Sequence, residues 1–198
     1  MWDNNVLFGH RIFRFLVTLF GAVTSVTPAN TSAVTEHAKA APPEGMISVA
    51  AEFVANDEFR KGVGLDGVEL DYSVESLKHI DSALQQLHGD LPDGDEAKDL
   101  SAAGEQVQFV TFSFGSYVGE VIRRRMSPAA RWDGYESFSE KEKNLFGPEE
   151  NLGNAFYVRW QDGMTFPLSK VLKFLQNGSE DSTYFYARVI LKDVETDE

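Results

Sequence analysis

The sequence predicts an α+β fold: helices first, then a small antiparallel sheet built on a hairpin or meander, then a C-terminal helix. Three observations predict it. Apolar residues recur at steps of three and four over 47–60, 74–88 and 105–126. Two β-forming runs, 155–160 and 164–166, flank Gln161-Asp162-Gly163, and an Asp-Gly pair between such runs signals a hairpin. Helical spacing then resumes over 168–177. Helices segregated from a meander make an α+β layout. No strand–glycine-loop–helix unit and no internal repeat is visible, which argues against a nucleotide-binding α/β fold.

Taken in order, residues 47–60 place Ile47, Ala50, Ala51 and Val54 on one face of a short helix, ended by Gly62, Gly64 and Gly67. Residues 68–72 read as an extended link. The next helix, 74–88, has Ser73 as N-cap, Glu75 in its first turn and Gly89 just past its end. Val74, Leu77, Ile80, Leu84 and Leu87 form its apolar stripe. From Asp90 to Glu105 there are six acids and one Lys98, so a solvated loop is expected. The longest apolar pattern, 105–126, predicts a central helix buried on more than one side, with Arg123, Arg124 and Arg125 in its last turn and Pro128 stopping it. Trp132 starts another strand of the sheet. Leu168, Val171, Leu172 and Leu175 predict a helix closed by Gly178. Residues 181–192 carry strand propensity from Tyr184 to Leu191, yet Asp181 or Ser182 suits a cap, and the reading leans to helix.

Composition narrows the function classes. The chain has 198 residues, 42% of them hydrophobic, so it is not wholesale disordered. It has no cysteine, which excludes disulfides, thiolate catalysis and Cys-based zinc sites. The formal charge is −13, from 18 basic and 31 acidic residues, and such a chain repels phosphate backbones; no nucleic acid partner is expected. Residues 1–45 hold three acids and three bases, so all of that charge sits in 46–198, read as a single α+β domain. Residues 34–45 have a linker composition. For 1–33 the readings stay open. Arg11 and Arg14 before the apolar run Phe15–Val26, with Thr31-Ser32-Ala33 behind it, suit a signal peptide and hence export. Phe8, Ile12, Phe15, Leu19 and Val23 suit a retained amphipathic helix. Translation starting at Met46 would make the segment irrelevant and the protein cytoplasmic. The run is too short to span a bilayer, so no transmembrane span is predicted.

Candidate chemistry centres on Gly115-Ser116-Tyr117-Val118-Gly119-Glu120. Two glycines four apart on one helix face permit close approach of another element, or of a ligand lined by Tyr117 and Glu120. A lone glutamate on a helix is more often solvated or paired with arginine than catalytic. The Arg123–Arg125 run, Arg124 at its centre, suits either a grip on an acidic surface or the helix dipole. Trp132, Tyr135, Tyr157 and Trp160 suit a core more than an aromatic ligand pocket. The candidate binding residues are therefore Tyr117, Glu120, Arg124, Trp132 and Trp160, with Gly115 and Gly119 as a structural motif. His79 and His88 are nine apart, off any same-face ligand spacing, and no HExxH, calcium loop, GxxxxGK[ST] or GxSxG occurs. No catalytic residue, metal or cofactor is implied.

From Leu70 onward the chain resembles a group of uncharacterised bacterial domains of unknown function. The residues that carry the likeness are Leu70-Asp71-Tyr72-Ser73, Glu75-Ser76-Leu77 and Asp81, then Gly115, Tyr117, Gly119-Glu120-Val121 and Arg123-Arg124. Trp132, Phe166-Pro167, Val171, Lys173, Asn177-Gly178 and Asp181-Ser182 complete it. The likeness covers about residues 70–190, with longer stretches at 137–154 and 90–105, and it implies no activity. The expected function is a non-enzymatic module in which an acidic body binds a basic protein partner, as a toxin-immunity protein would. The alternative is an enzyme or small-ligand receptor with a pocket near Gly115, Gly119 and Glu120.

Overall fold

A computed structural model describes residues 44–90, 104–147, 152–161 and 163–195. The expectations for 1–43 and for most of the acidic loop fall outside these residues. Among the described residues, seven α-helices and a three-stranded antiparallel sheet make the predicted α+β fold, with a helix following the sheet toward the C-terminal end. The helices are α1 (Gly45–Ala55), α2 (Asp57–Gly62), α3 (Leu77–Asp90) and α4 (Gly104–Arg123), followed by α5 (Glu140–Phe146), α6 (Pro167–Asn177) and α7 (Thr183–Glu195). The strands are β1 (Arg131–Gly134), β2 (Phe156–Trp160) and β3 (Gly163–Thr165), with β2 in the middle.

Helix α4 is the axis. Residues 109–122 are buried without a break, as expected for a helix covered on all sides. It packs against α1, α6, α7 and β2. Phe114 and Tyr117 meet Phe53 of α1 at centroid distances of 5.0 and 5.8 Å, and Phe109 meets Phe59 of α2 edge-on at 4.7 Å. Such ring pairs add to the burial of the rings themselves.

The sheet has two covered faces. Trp132, Phe156 and Val158 belong to the helix-facing core. On the other face Tyr157 stacks on Phe138 at 4.4 Å, and Phe146 of α5 packs against Phe138 and Phe166. Arg159 bridges Asp133 and Glu142 at 3.1 Å each, tying α5 to the sheet.

Several boundaries differ from the sequence reading; α4 ends at Arg123, so Arg124 and Arg125 lie in the turn that follows it and not in its last turn. The helix expected over 47–60 is two helices, because the Asn56 side chain accepts the Phe59 amide at 2.9 Å and restarts the chain. Ser73 does cap a turn, accepting from the Ser76 amide at 3.0 Å, but regular helix begins at Leu77 after a tighter turn. At its other end α3 runs through Gly89 to Asp90, its last turn tied to α6 by a 2.8 Å contact between His88 Nδ1 and the Leu175 carbonyl. In the hairpin Trp160 pairs with Gly163, so the glycine belongs to the strand and not to the turn. The stretch 137–154, left without elements by periodicity, holds α5. A capping box joins Ser139 and Glu142 at its start.

Candidate functional site

Glu120 lies in the last turn of α4, wholly buried. Helical spacing puts Arg123 and Arg124 one turn further along the same side. Arg123 Nε donates to Glu120 Oε1 at 2.5 Å and its Nη2 to Oε2 at 3.0 Å, a two-pronged grip. Arg124 Nε adds a bond to Oε2 at 3.1 Å. The Trp132 indole N–H, brought in by β1, donates to Oε1 at 2.9 Å. Burial alone would push the Glu120 carboxyl up; the bonds from Arg123, Trp132 and Arg124 outweigh it and hold the group below the usual carboxylate range. Its oxygens accept four bonds, so the carboxylate is a saturated structural anion and has no idle basicity to lend to a reaction.

The glycines explain how Trp132 reaches it. A Cβ on Gly119 would stand 2.2 Å from the Trp132 ring, and one on Gly115 would stand 3.1 Å from the Leu168 backbone. The bare side of α4 is therefore filled by the indole and by the first turn of α6. The space beside Gly115 and Gly119 is occupied by the protein itself.

A second layer rests on the first. The Arg124 guanidinium lies 3.5 Å over the Tyr72 ring, and Tyr72 stacks on Tyr117 at 4.9 Å. The Tyr72 amide donates to the Tyr117 hydroxyl at 3.0 Å, and that hydroxyl meets Ser76 Oγ at 2.7 Å. Arg125 Nη1 donates to the Tyr72 carbonyl. Tyr72 takes a φ of 60°, a region that costs a bulky residue on the order of 1–3 kcal/mol. Ring stacking on both faces and bonds to both backbone polar groups hold it there.

The loop that ends at Tyr72 is pinned along its length. Val63, Leu65 and Leu70 are buried, and Arg60 Nη1 donates to the Val68 carbonyl at 2.8 Å. Asp66, Glu69 and Asp71 alternate with these anchors and are exposed. The Ser73 hydroxyl and amide hold the Asp71 carboxyl below its usual range, so it stays ionised.

Of the residues singled out in the sequence, Tyr117, Glu120, Arg124 and Trp132 thus form one connected cluster. Trp160 is placed elsewhere, half-buried with its ring against Gly163, where a Cβ would come within 2.6 Å. Tyr157 joins the outer aromatic layer, and Tyr135 lies edge-on to Phe138 at 5.4 Å. Sequence reasoning missed Tyr72, Ser76 and Arg123 as members. Of these only Arg123 had a local signal, its i, i+3 spacing from Glu120; Tyr72 and Ser76 lie more than forty positions from Tyr117. Among the described residues no group of three or more His, Asp or Glu side chains could hold a metal ion. No helix among them is long and apolar enough to cross a membrane. Comparison with family models, with curated proteins and with solved structures finds no match to this chain.

Proposed function

We propose that the chain is a non-enzymatic protein-binding module whose acidic face neutralises a basic protein partner in the manner of an immunity protein. One observation carries the reading: the loop bearing Asp66, Glu69 and Asp71 is fixed from beneath. Buried anchors hold its alternate residues, and the Glu120–Arg124–Tyr72–Tyr117 stack holds its end. A surface that is already ordered loses little entropy on association. Carboxylates held in place also steer a cationic partner through the field of a −13 chain. The enzymatic alternative draws less support, because its one candidate base, Glu120, is the part that is fully engaged in bonds.

The test is capture from native cells at low and high salt, with the wild-type chain and with a variant carrying Asp66→Asn, Glu69→Gln and Asp71→Asn. A basic protein retained at low salt, released at high salt and lost with the variant supports the reading. Capture that ignores both salt and the variant, or a metabolite co-purifying in place of a protein, would sink it.

A further inference from the structure

A second surface of opposite character lies beside the acidic loop. On α7, Phe185 is 67% and Val189 44% exposed, and at i,i+4 they share one side of the helix. They line an open groove of about 1110 Å³ between α7 and the turn that leads into α3. Val74 and Leu191 add apolar lining, while Arg125, Arg188 and Lys192 supply cations. The acid of the described lining, Glu75, is engaged: Lys78 Nζ stands 2.5 Å from its Oε2, and the Tyr184 hydroxyl donates to its Oε1 at 3.1 Å. Arg125 donates to the neutral carbonyls of Tyr72 and Val121 and also acts on the Asp71 carboxylate, so its charge is shared between that loop and the groove. An apolar trough with cationic margins is thus set into a chain of net charge −13.

We infer that this groove receives an amphipathic helix of a partner protein, with acidic residues flanking that helix's apolar stripe. The concavity and paired apolar anchors suit a helix laid in a groove. The charge of the margins selects acids on the incoming helix. A second copy of the chain fits worse, because two α7 helices packed antiparallel about a two-fold axis bring Arg188 against Arg188. The apolar stripe at Phe8, Ile12, Phe15, Leu19 and Val23 of this chain also fits worse, since Arg11 and Arg14 lie among those residues and Asp3 is the lone acid before them. The inference goes beyond the acidic-loop reading and uses other residues.

Fluorescence anisotropy on the full chain tests it with three labelled helical peptides. One has leucines at i, i+3, i+4 and i+7 flanked by Glu, the second replaces Glu by Lys, and the third scrambles the first. The Glu peptide is expected to bind, and to bind more weakly as salt rises. Phe185→Ser and Arg188→Glu should each weaken it by about tenfold, or more, with melting unchanged. Equal binding of the Glu and Lys peptides, no binding of either, or indifference to both variants overturns the inference. So does a photo-crosslinking amino acid in place of Val189 that reaches residues 8–23 of its own chain or a second copy.

Discussion

Gly119 and Gly115 share one side of α4 but should respond differently to alanine. At Gly119 the new methyl meets the Trp132 ring, itself 4% exposed and fixed by its bond to Glu120, so nothing nearby can yield. Gly119→Ala is expected to cost about 2–3 kcal/mol, overpacking outweighing the gain in helix propensity of about 0.5–1 kcal/mol. Gly115→Ala meets Leu168 at 3.1 Å and should cost less than half as much. Urea denaturation followed by circular dichroism ranks the two. The arginines divide in the same way. Arg123→Met leaves the buried carboxylate without its two-pronged partner and should cost about 3 kcal/mol. Arg124 is 43% exposed and leaves Glu120 still held by Arg123 and Trp132, so Arg124→Met should cost about 1 kcal/mol or less. Equal losses for the two would mean that the carboxylate is shared evenly, against the geometry. At this scale the sequence revealed Tyr117, Glu120 and Arg124, with the i, i+3 spacing of Arg123 from Glu120 as the clue to the member it missed on α4. It hid Trp132 and Tyr72 as their partners, because contacts that join residues twelve and fifty apart have no local signature.

Helix α7 is capped from another element. Asp81 of α3 accepts from the Thr183 amide at 2.8 Å, the Thr183 hydroxyl at 2.6 Å and the Ser182 hydroxyl at 2.6 Å, while Ser182 Oγ itself accepts from the Phe185 amide at 3.0 Å. Asp81→Ala should therefore cost about 2 kcal/mol, the upper end for loss of a cap. The cost should appear locally: amide exchange speeds up in α7 and stays slow in the middle of α4. Uniform acceleration across all helices would show that Asp81 supports the whole core and not this one junction. The same contact resolves the ambiguity of 181–192. Its β-branched and aromatic residues favour a strand by propensity, and a helix is obtained because its first turn is capped and its Ala187 side is buried. The hairpin and α6 were legible because turn residues and a 3.6-residue period mark them. The outer layer of α5 was not, since a seven-residue helix with no buried side chain has too little periodicity to read. Its Ser139–Glu142 capping box was the available clue.

Across the whole molecule, stability should be bounded at both ends of the pH scale. Glu120, Asp71, Glu75, Glu142 and Asp181 are all held below the ordinary carboxylate range in the fold. Their contribution is present above the unfolded value of about 4 and is lost as pH falls through the depressed folded values. Glu52, raised by burial, opposes this as a single group. At the other end burial raises Tyr72, Tyr117 and Tyr186, so their contribution holds below about pH 10 and is lost as pH climbs through the higher folded values. Urea midpoints measured across pH should form a plateau with two falling limbs. The penalty of Glu120→Gln should shrink on the acid limb, where the wild-type group also takes up a proton; a penalty constant down to pH 2 would contradict the assignment. The Asp81 junction has one further consequence. Its partners lie 101 to 103 positions later in the chain. A nascent polypeptide halted anywhere before Thr183 emerges with its acceptor carboxylate bare and the groove left for α7 open to other chains. Vectorial synthesis thus keeps this domain unfinished, and prone to sticking, until its late helix is released.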